Sequence, residues 1–251
     1  MNQEQSLHTH TIFSDGDDCP EEMIRAAIRL GMKKICFTDH SYTFFDESYC
    51  MPKDKIPSYR EEIRRLKELY REQITVLLGI EQDYYSEEPV DGYEYVIGSV
   101  HYVRAAEDVY VPVDESIDIG ADILTRTAED YFAGDIYALL EEYFRTAADA
   151  VRKTSADLIG HFNVIAKCNT VHPFFDEAHP RYTAAWKRAA DALLDTKKPF
   201  EINLSPVLRG IRKEPYPGEA MQAYIRGNGG DFVVTGDCHS VAELERFCTN
   251  C

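Results

Sequence analysis

Seven short apolar runs of strand type recur along this chain, nearly all followed by a helical stretch, and each ends in a polar residue able to do chemistry. They fall at residues 6–10, 34–38, 76–80, 95–100, 157–161, 200–204 and 232–235. Strand and helix in alternation predict parallel strands joined by right-handed crossovers. An open doubly wound sheet gathers its ligand at one switch point from a few strands, whereas a closed barrel draws residues from the ends of many. Here all seven strands contribute, so the expected fold is an α/β barrel of about seven units, slightly short of the usual eight.

The helical stretches carry their own signals. Pro20 followed by Glu21 and Glu22 makes a good first turn, and Gly31 stands where a left-handed cap is expected. Residues 57–71 place apolar Ile63, Leu66 and Leu69 among Glu, Arg and Lys, the pattern of an amphipathic helix. Further helices are expected at 135–153, 180–195, 218–227 and 241–248. The longest departure from alternation is 102–154. Within it, residues 109–113 alternate but contain Pro112, which limits them to an edge ribbon, and an acidic segment with two helices follows. That stretch is too short for a domain of its own and reads as a cap-like insertion on the active face. With 251 residues and 44% apolar content, the chain can bury a full core as one domain spanning 1–251.

A formal charge of −17 disfavours nucleic acid, whose binding needs a basic surface that releases counterions. Three divalent ions would offset part of that charge and leave the chain clearly acidic, so a small phosphorylated or cationic ligand is compatible with it. The seven cysteines are scattered and odd in number, which suits a reducing cytoplasm better than a disulfide framework. Cys248 and Cys251 have the spacing of half a zinc knuckle, but no second pair accompanies them, and the reading is incidental. The first residues have neither a basic region nor an apolar stretch, and no window approaches a membrane span, so a soluble, unprocessed protein is expected.

Six of the eight histidines lie in short clusters, most of them with an acid: His8 and His10 with Asp15, Asp39-His40, His101, His161, and Asp237 with His239; Glu81 joins them at the end of an apolar strand. In a strand, residues i and i+2 face one side, so His8 with His10, and Asp237 with His239, each project two donors together, while Cys238 points away and packs. Barrel closure makes the first and last strands neighbours. Taken singly, each histidine reads as a hydrogen-bonded core or surface residue; taken together at strand ends, they predict a polynuclear metal site. An unpaired carboxylate closing an apolar strand carries a heavy desolvation cost, and Glu81 makes sense there if its two oxygens bridge two ions. His172 and His179, in a loop beside Pro173 and Pro180, keep a structural reading.

His8-Thr9-His10 with Ser14-Asp15-Gly16, Thr38-Asp39-His40, Gly79-Ile80-Glu81, Gly98-Ser99-Val100-His101, Ile159-Gly160-His161 and Gly236-Asp237-Cys238-His239 together resemble the polymerase and histidinol phosphatase (PHP) family. The match covers nearly the whole chain in order. It implies a distorted (β/α)7 TIM-like barrel, the PHP fold, with a trinuclear centre at the C-terminal ends of the strands. The resemblance assigns His8, His10, Glu81 and Asp237 to one ion, bridges Glu81 to a second held by His101 and His161, and gives Asp15, His40 and His239 to a third. Asp15 stands where some members have histidine. These donors suit zinc, iron or manganese alike.

Within the family the chain is most similar to the histidinol-phosphate phosphatases, through its length, the Glu201-Ile202-Asn203 strand and an arginine-containing loop leading to Glu214-Pro215-Tyr216-Pro217. The implied activity is metal-dependent hydrolysis of the phosphomonoester L-histidinol phosphate to L-histidinol and phosphate, a step of histidine biosynthesis. In the expected mechanism the two ions sharing Glu81 would supply a hydroxide to attack phosphorus, with Asp237 among the catalytic ligands. Arg209 and Arg212 are both candidates for gripping the phosphate and join the catalytic set. Lys167 is a third cation, with solvated surface as its alternative. Asp39 reads as an orienting partner of a histidine ligand ahead of a general acid. Tyr42, Phe44, Phe45, Asp46 and Glu47 either meet the amine and imidazole of the substrate or pack as a barrel cap. The alternatives are a PHP-type phosphoesterase for another small phosphorylated metabolite or nucleotide, and a non-catalytic metal-binding regulatory module. Oligomeric state is open.

Overall fold

The computed structural model describes residues 4–250. In chain order the elements are β1 (Gln5–Ser6), α1 (Pro20–Arg29), β2 (Lys34–Phe37), α2 (Ile56–Tyr70), β3 (Thr75–Asp83), β4 (Tyr95–Ser99), β5 (Tyr102–Ala106), β6 (Val109–Pro112), α3 (Gly120–Tyr131), α4 (Ile136–Ala147), α5 (Ala150–Thr154), β7 (Leu158–Ile159), α6 (Pro180–Leu194), β8 (Phe200–Asn203), α7 (Ser205–Leu208), α8 (Glu219–Gly227), β9 (Phe232–Thr235) and α9 (Val241–Asn250). Seven strands form one sheet in the order β1-β2-β3-β4-β7-β8-β9, every neighbouring pair parallel. The first and last strands meet at an isolated parallel bridge between Thr9 and Cys238, where His10 N donates to Cys238 O at 2.9 Å and Cys238 N to His8 O at 3.2 Å. This closes the expected seven-unit barrel at the residues that carry the candidate ligands.

Local chemistry explains the wall around the site. Glu21 and Glu22 lie in the first turn of α1, near the positive end of its dipole, and Gly31 follows the helix at φ +79, a conformation that glycine adopts without a Cβ penalty. Helix α2 buries Tyr59, Ile63, Leu66 and Tyr70, a stripe of period 3.6. Leu69 lies off that stripe and is 55% exposed, so it does not belong to the packed face. The Tyr59 hydroxyl lies 2.9 Å from Phe37 O and 2.8 Å from Gly79 O, tying α2 to β2 and β3 just before their ends reach the site. Met23, Ile24, Ile35, Phe37, Ile63 and Leu78 belong to the core that joins barrel and helices.

Three features differ from the sequence reading. Strand β3 continues through Asp83, and the connection 84–94 to β4 has no helix. The expected helix over 135–153 is divided into α4 and α5 around Ala148 and Asp149, so three helices occupy the 102–154 stretch rather than two. Within that stretch α5 packs on β4 and β7, and α4 packs on α6, whereas β5 and β6 form an antiparallel ribbon apart from the barrel sheet. No helix among the described residues is long and apolar enough to cross a membrane. Cys238 is buried in the core cluster and Cys248 is buried beneath α1, with Sγ 3.8 Å from Leu30 O; Cys251 lies outside the described residues.

Candidate metal centre

All nine candidate ligands converge at the C-terminal ends of the barrel strands. Glu81, 1% exposed, stands at the middle of them. Its Oε2 lies 3.3 Å from His8 Nε2, 3.5 Å from His10 Nε2 and 2.9 Å from His40 Nδ1. Its Oε1 lies 3.3 Å from His101 Nε2 and 2.9 Å from His161 Nε2, and accepts from Ser99 Oγ at 2.6 Å. The two oxygens of one carboxylate thus face two separate sets of histidines.

Asp237 Oδ1 lies 3.4 Å from His8 Nε2 and 3.1 Å from His10 Nε2. On the outer side Asp15 Oδ2 lies 3.2 Å from His239 Nε2 and 3.7 Å from His40 Nε2. Asp237 and His239 do share a side, but not through strand pleating. Strand β9 ends at Thr235, and Asp237 is left-handed at φ +47, so a tight turn rather than a period-2 strand points both side chains inward.

A layer of buried carboxylates orients these histidines. Glu201, fully buried in β8, meets His8 Nδ1 at 2.5 Å and also accepts from His161 N at 2.5 Å and Thr235 Oγ1 at 2.6 Å. Asp83, two residues beyond Glu81 on the same face of β3, lies 3.1 Å from both His101 Nδ1 and His101 N. Each contact engages Nδ1 and leaves Nε2 turned to the centre. Asp39 differs from its expected part: it accepts from the backbone and hydroxyl of Thr11 and Ser14, and so fixes the turn presenting Asp15 rather than a histidine ring. Sequence reading gave no role to Glu201 or Asp83. An acid in an apolar strand, the same signal that singled out Glu81, was present at Glu201.

Charge follows from this packing. Burial opposes protonation of His8, but Asp237, Glu201 and Glu81 outweigh it and hold its pKa well above the ordinary range; for His101, Glu81 and Asp83 do the same. His239 is likewise raised to about 9 against burial by Asp15 and Asp237. His10, buried and beside His239 and His40, is lowered to about 3. Despite burial, the histidines hold Glu81 and Asp237 well below the usual carboxylate range.

His8 Nε2, His10 Nε2 and Glu81 Oε2 are buried without a hydrogen-bond partner, a costly state for polar atoms unless something else engages them. Three overlapping donor groups can each surround an ion: His10, Asp15, His40 and His239; His8, His10 and Glu81; and His40, Glu81 and His101. Ligands about 2.1 Å from a tetrahedral ion stand roughly 3.4 Å apart, close to the measured separations among His8, His10, Glu81 and Asp237. The donor set fits divalent metal ions.

The centre opens into a cavity of about 290 Å³. Arg209 lines it, with Nε and Nη2 forked onto Glu243 at 2.7 and 2.9 Å and Nη2 donating to Asp237 O at 3.2 Å. Lys167 lines it too, its ammonium on Asp114 O. Arg212 does not line this cavity: it is turned to the far side, where Glu177 takes its Nη2 at 3.0 and 3.2 Å. Tyr42 is also outside, its hydroxyl given to Glu47 at 2.9 Å. Of the residues following β2, Asp46 and Tyr49 reach the cavity, whereas Phe45 stacks on Tyr110 at 3.9 Å. His179 caps α6 by accepting from Arg181 N, apart from the centre, as its structural reading expected.

Residues 6–205 match the PHP domain family. The chain belongs to the PHP family. Among curated PHP-like relatives, a probable histidinol-phosphatase of Deinococcus radiodurans is 27% identical over 94% of this chain and 86% of its own length. One of the same name from Schizosaccharomyces pombe is 26% identical, covering 87% and 74%. A crystal structure from Lactococcus lactis, of a histidinol phosphate phosphatase complexed with zinc, L-histidinol and phosphate, superposes with a TM-score of 0.67 at 19% identity, covering 97% of this chain and 90% of that one. At that identity the likeness carries the PHP barrel fold.

Proposed function

We propose that this PHP-family chain is a metal-dependent phosphomonoesterase that hydrolyses L-histidinol phosphate to L-histidinol and phosphate, in histidine biosynthesis and hence in the cytoplasm. The observation that carries the reading is the Glu81 carboxylate, buried, with Oε2 toward His8, His10 and His40 and Oε1 toward His101 and His161. In this reading His8, His10, Glu81 and Asp237 hold one ion, Glu81 with His101 and His161 a second, and Asp15, His40 and His239 a third, the metal being zinc, iron or manganese. His40 Nδ1 also faces Glu81, so His40 stands between the outer ion and the bridge. Such ions, when bound, neutralise a phosphoryl dianion and acidify water at neutral pH.

The chain's own groups then bind and orient the ester. Arg209, braced by Glu243, presents its guanidinium to the cavity beside Asp237 and is the phosphate-facing cation. Lys167 also lines the cavity. Asp46, Asp114 and Glu115 also line the cavity, and their negative charge suits a cationic organic half. Residues 113–116, following β6, bring Asp114 and Glu115 to the cavity, and support reading 102–154 as a cap on a single domain spanning 1–251. The names of the curated relatives support the substrate.

The test is phosphate release from L-histidinol phosphate, set against other phosphomonoesters and phosphodiesters, before and after chelation. Turnover of L-histidinol phosphate that chelation abolishes and metal restores is expected. No turnover by the metal-loaded protein would overturn the reading; preference for another monoester would reassign the substrate, and inertness toward every ester would leave a metal-binding module. Glu81→Ala is expected to lose bound metal and activity together.

A further inference from the structure

The cavity above the metal centre has an acid-rich wall whose donors are largely committed. Arg209 gives its guanidinium to Glu243 and Asp237 O, Lys167 gives its ammonium to Asp114 O, and Ser205 Oγ meets Asn203 Oδ1 at 2.6 Å. Against this, Tyr216 also lines the cavity, is 3% exposed, and keeps its hydroxyl buried without a hydrogen-bond partner. A buried phenol in that state costs about 1–3 kcal/mol relative to a satisfied one, so the fold holds it at a disadvantage unless a ligand supplies the acceptor.

Its backbone is fixed with some care. Tyr216 pairs antiparallel with Asn203 at the end of β8, with Asn203 N donating to Tyr216 O at 2.8 Å and Tyr216 N to Asn203 O at 3.1 Å. Asn203 in turn donates through Nδ2 to Asp237 Oδ2 at 3.1 Å, so the Tyr216 backbone is tied by one residue to a candidate ligand of the centre. The Arg212 guanidinium, held by Glu177, lies 5.9 Å from the Tyr216 ring centroid. Tyr49 also presents an unpartnered hydroxyl to the cavity, but its ring lies edge-on against His40 at 4.7 Å, on the wall that carries Asp46. Tyr216 instead enters the cavity lining from the segment bridged to Asn203, the residue that donates to Asp237.

We propose that Tyr216 is a substrate-contacting residue whose hydroxyl donates a hydrogen bond to a phosphoryl oxygen of the bound ester and of the phosphate product. The proposal rests on the phosphomonoesterase reading. An anion with several acceptor oxygens is the ligand class that satisfies a spare donor in a cavity also lined by Arg209 and Lys167. Burial pushes the Tyr216 pKa up, so the phenol keeps its proton throughout the range in which such an enzyme works.

Tyr216→Phe removes only the hydroxyl and separates a ligand contact from a structural one. With metal-loaded protein, inhibition by inorganic phosphate is expected to weaken about tenfold and kcat/KM to fall by a similar factor, the scale of one hydrogen bond to a charged group. Metal content should be unchanged, and the melting temperature without phosphate equal to or above that of the wild type. The upward shift in melting temperature that phosphate gives the wild type should shrink. Unchanged phosphate inhibition in an otherwise active variant would overturn the proposal, as would a variant that melts lower and loses metal. A wild type inert toward every phosphomonoester, yet stabilised by phosphate through Tyr216, would instead sink the phosphomonoesterase reading alone.

Discussion

Glu201 Oε1 lies 2.5 Å from His8 Nδ1, and both side chains are completely buried. The contact spans 193 positions in sequence and fixes which nitrogen of His8 faces Glu81 and Asp237. A histidine ligand whose other nitrogen meets a carboxylate is held in one tautomer and one ring orientation, and loss of such a partner weakens metal binding by roughly 10–100-fold. Glu201→Gln should therefore lower metal affinity by about that factor. A chelator competition titration measures it; an unchanged titration would remove Glu201 from the orienting role.

Metal loading should release protons. Opposed by burial but driven by their acid neighbours, His8 and His101 are raised well above the ordinary histidine range and His239 to about 9, so the metal-free protein carries protons on them near neutrality. A metal ion needs their lone pairs and displaces those protons. Apparent affinity then rises with pH through neutrality and keeps rising until these histidines have lost their protons. Calorimetric titration in buffers of different ionisation enthalpy counts the protons; a heat that does not vary with buffer would contradict the charge state derived from the geometry.

The two arginines should separate cleanly. Arg209→Ala opens the cavity wall beside Asp237 and is expected to raise KM by about tenfold or more, as loss of a charge-assisted contact to phosphate does. Arg212→Ala breaks the pair with Glu177 and leaves that carboxylate half-buried, so its principal effect is a lower melting temperature. Steady-state kinetics beside thermal denaturation would show it. The opposite pattern would place the phosphate on Arg212.

Gly160 allows the close approach of β7 to β4. A Cβ there meets Ser99 Oγ, the group that donates to Glu81 Oε1, and comes within 3.0 Å of Ile97 Cγ2. Gly160→Ala should destabilise by about 1–3 kcal/mol and, by pushing Ser99, reduce metal retention as well. Melting temperature and metal content after dialysis report both. A variant that keeps both would show that Ser99 has room to move.

Much of the site was legible because its signals are local. Each motif, a histidine at a strand end or an acid closing an apolar strand, is recognisable within a few residues of chain, and all nine candidate ligands meet in the structure. What stayed hidden depends on partners distant in sequence. Asp39 faces Thr11 and Ser14 rather than His40, its neighbour, because β1 and β2 lie side by side. Asp237 and His239 share a side through one left-handed residue, which strand periodicity does not encode.

By itself the sequence determined the seven-strand alternation, the order of the metal-binding motifs and the membership in a fold family, since hydrophobic period and residue type are properties of the chain alone. Only the tertiary structure decided which atoms meet. Closure of the barrel at Thr9 and Cys238 brings the first strand against the last, Glu201 reaches His8 across the barrel wall, and Arg209 rather than Arg212 turns to the cavity. Those outcomes follow from long-range packing and burial, which set the direction of each side chain once the strands are side by side.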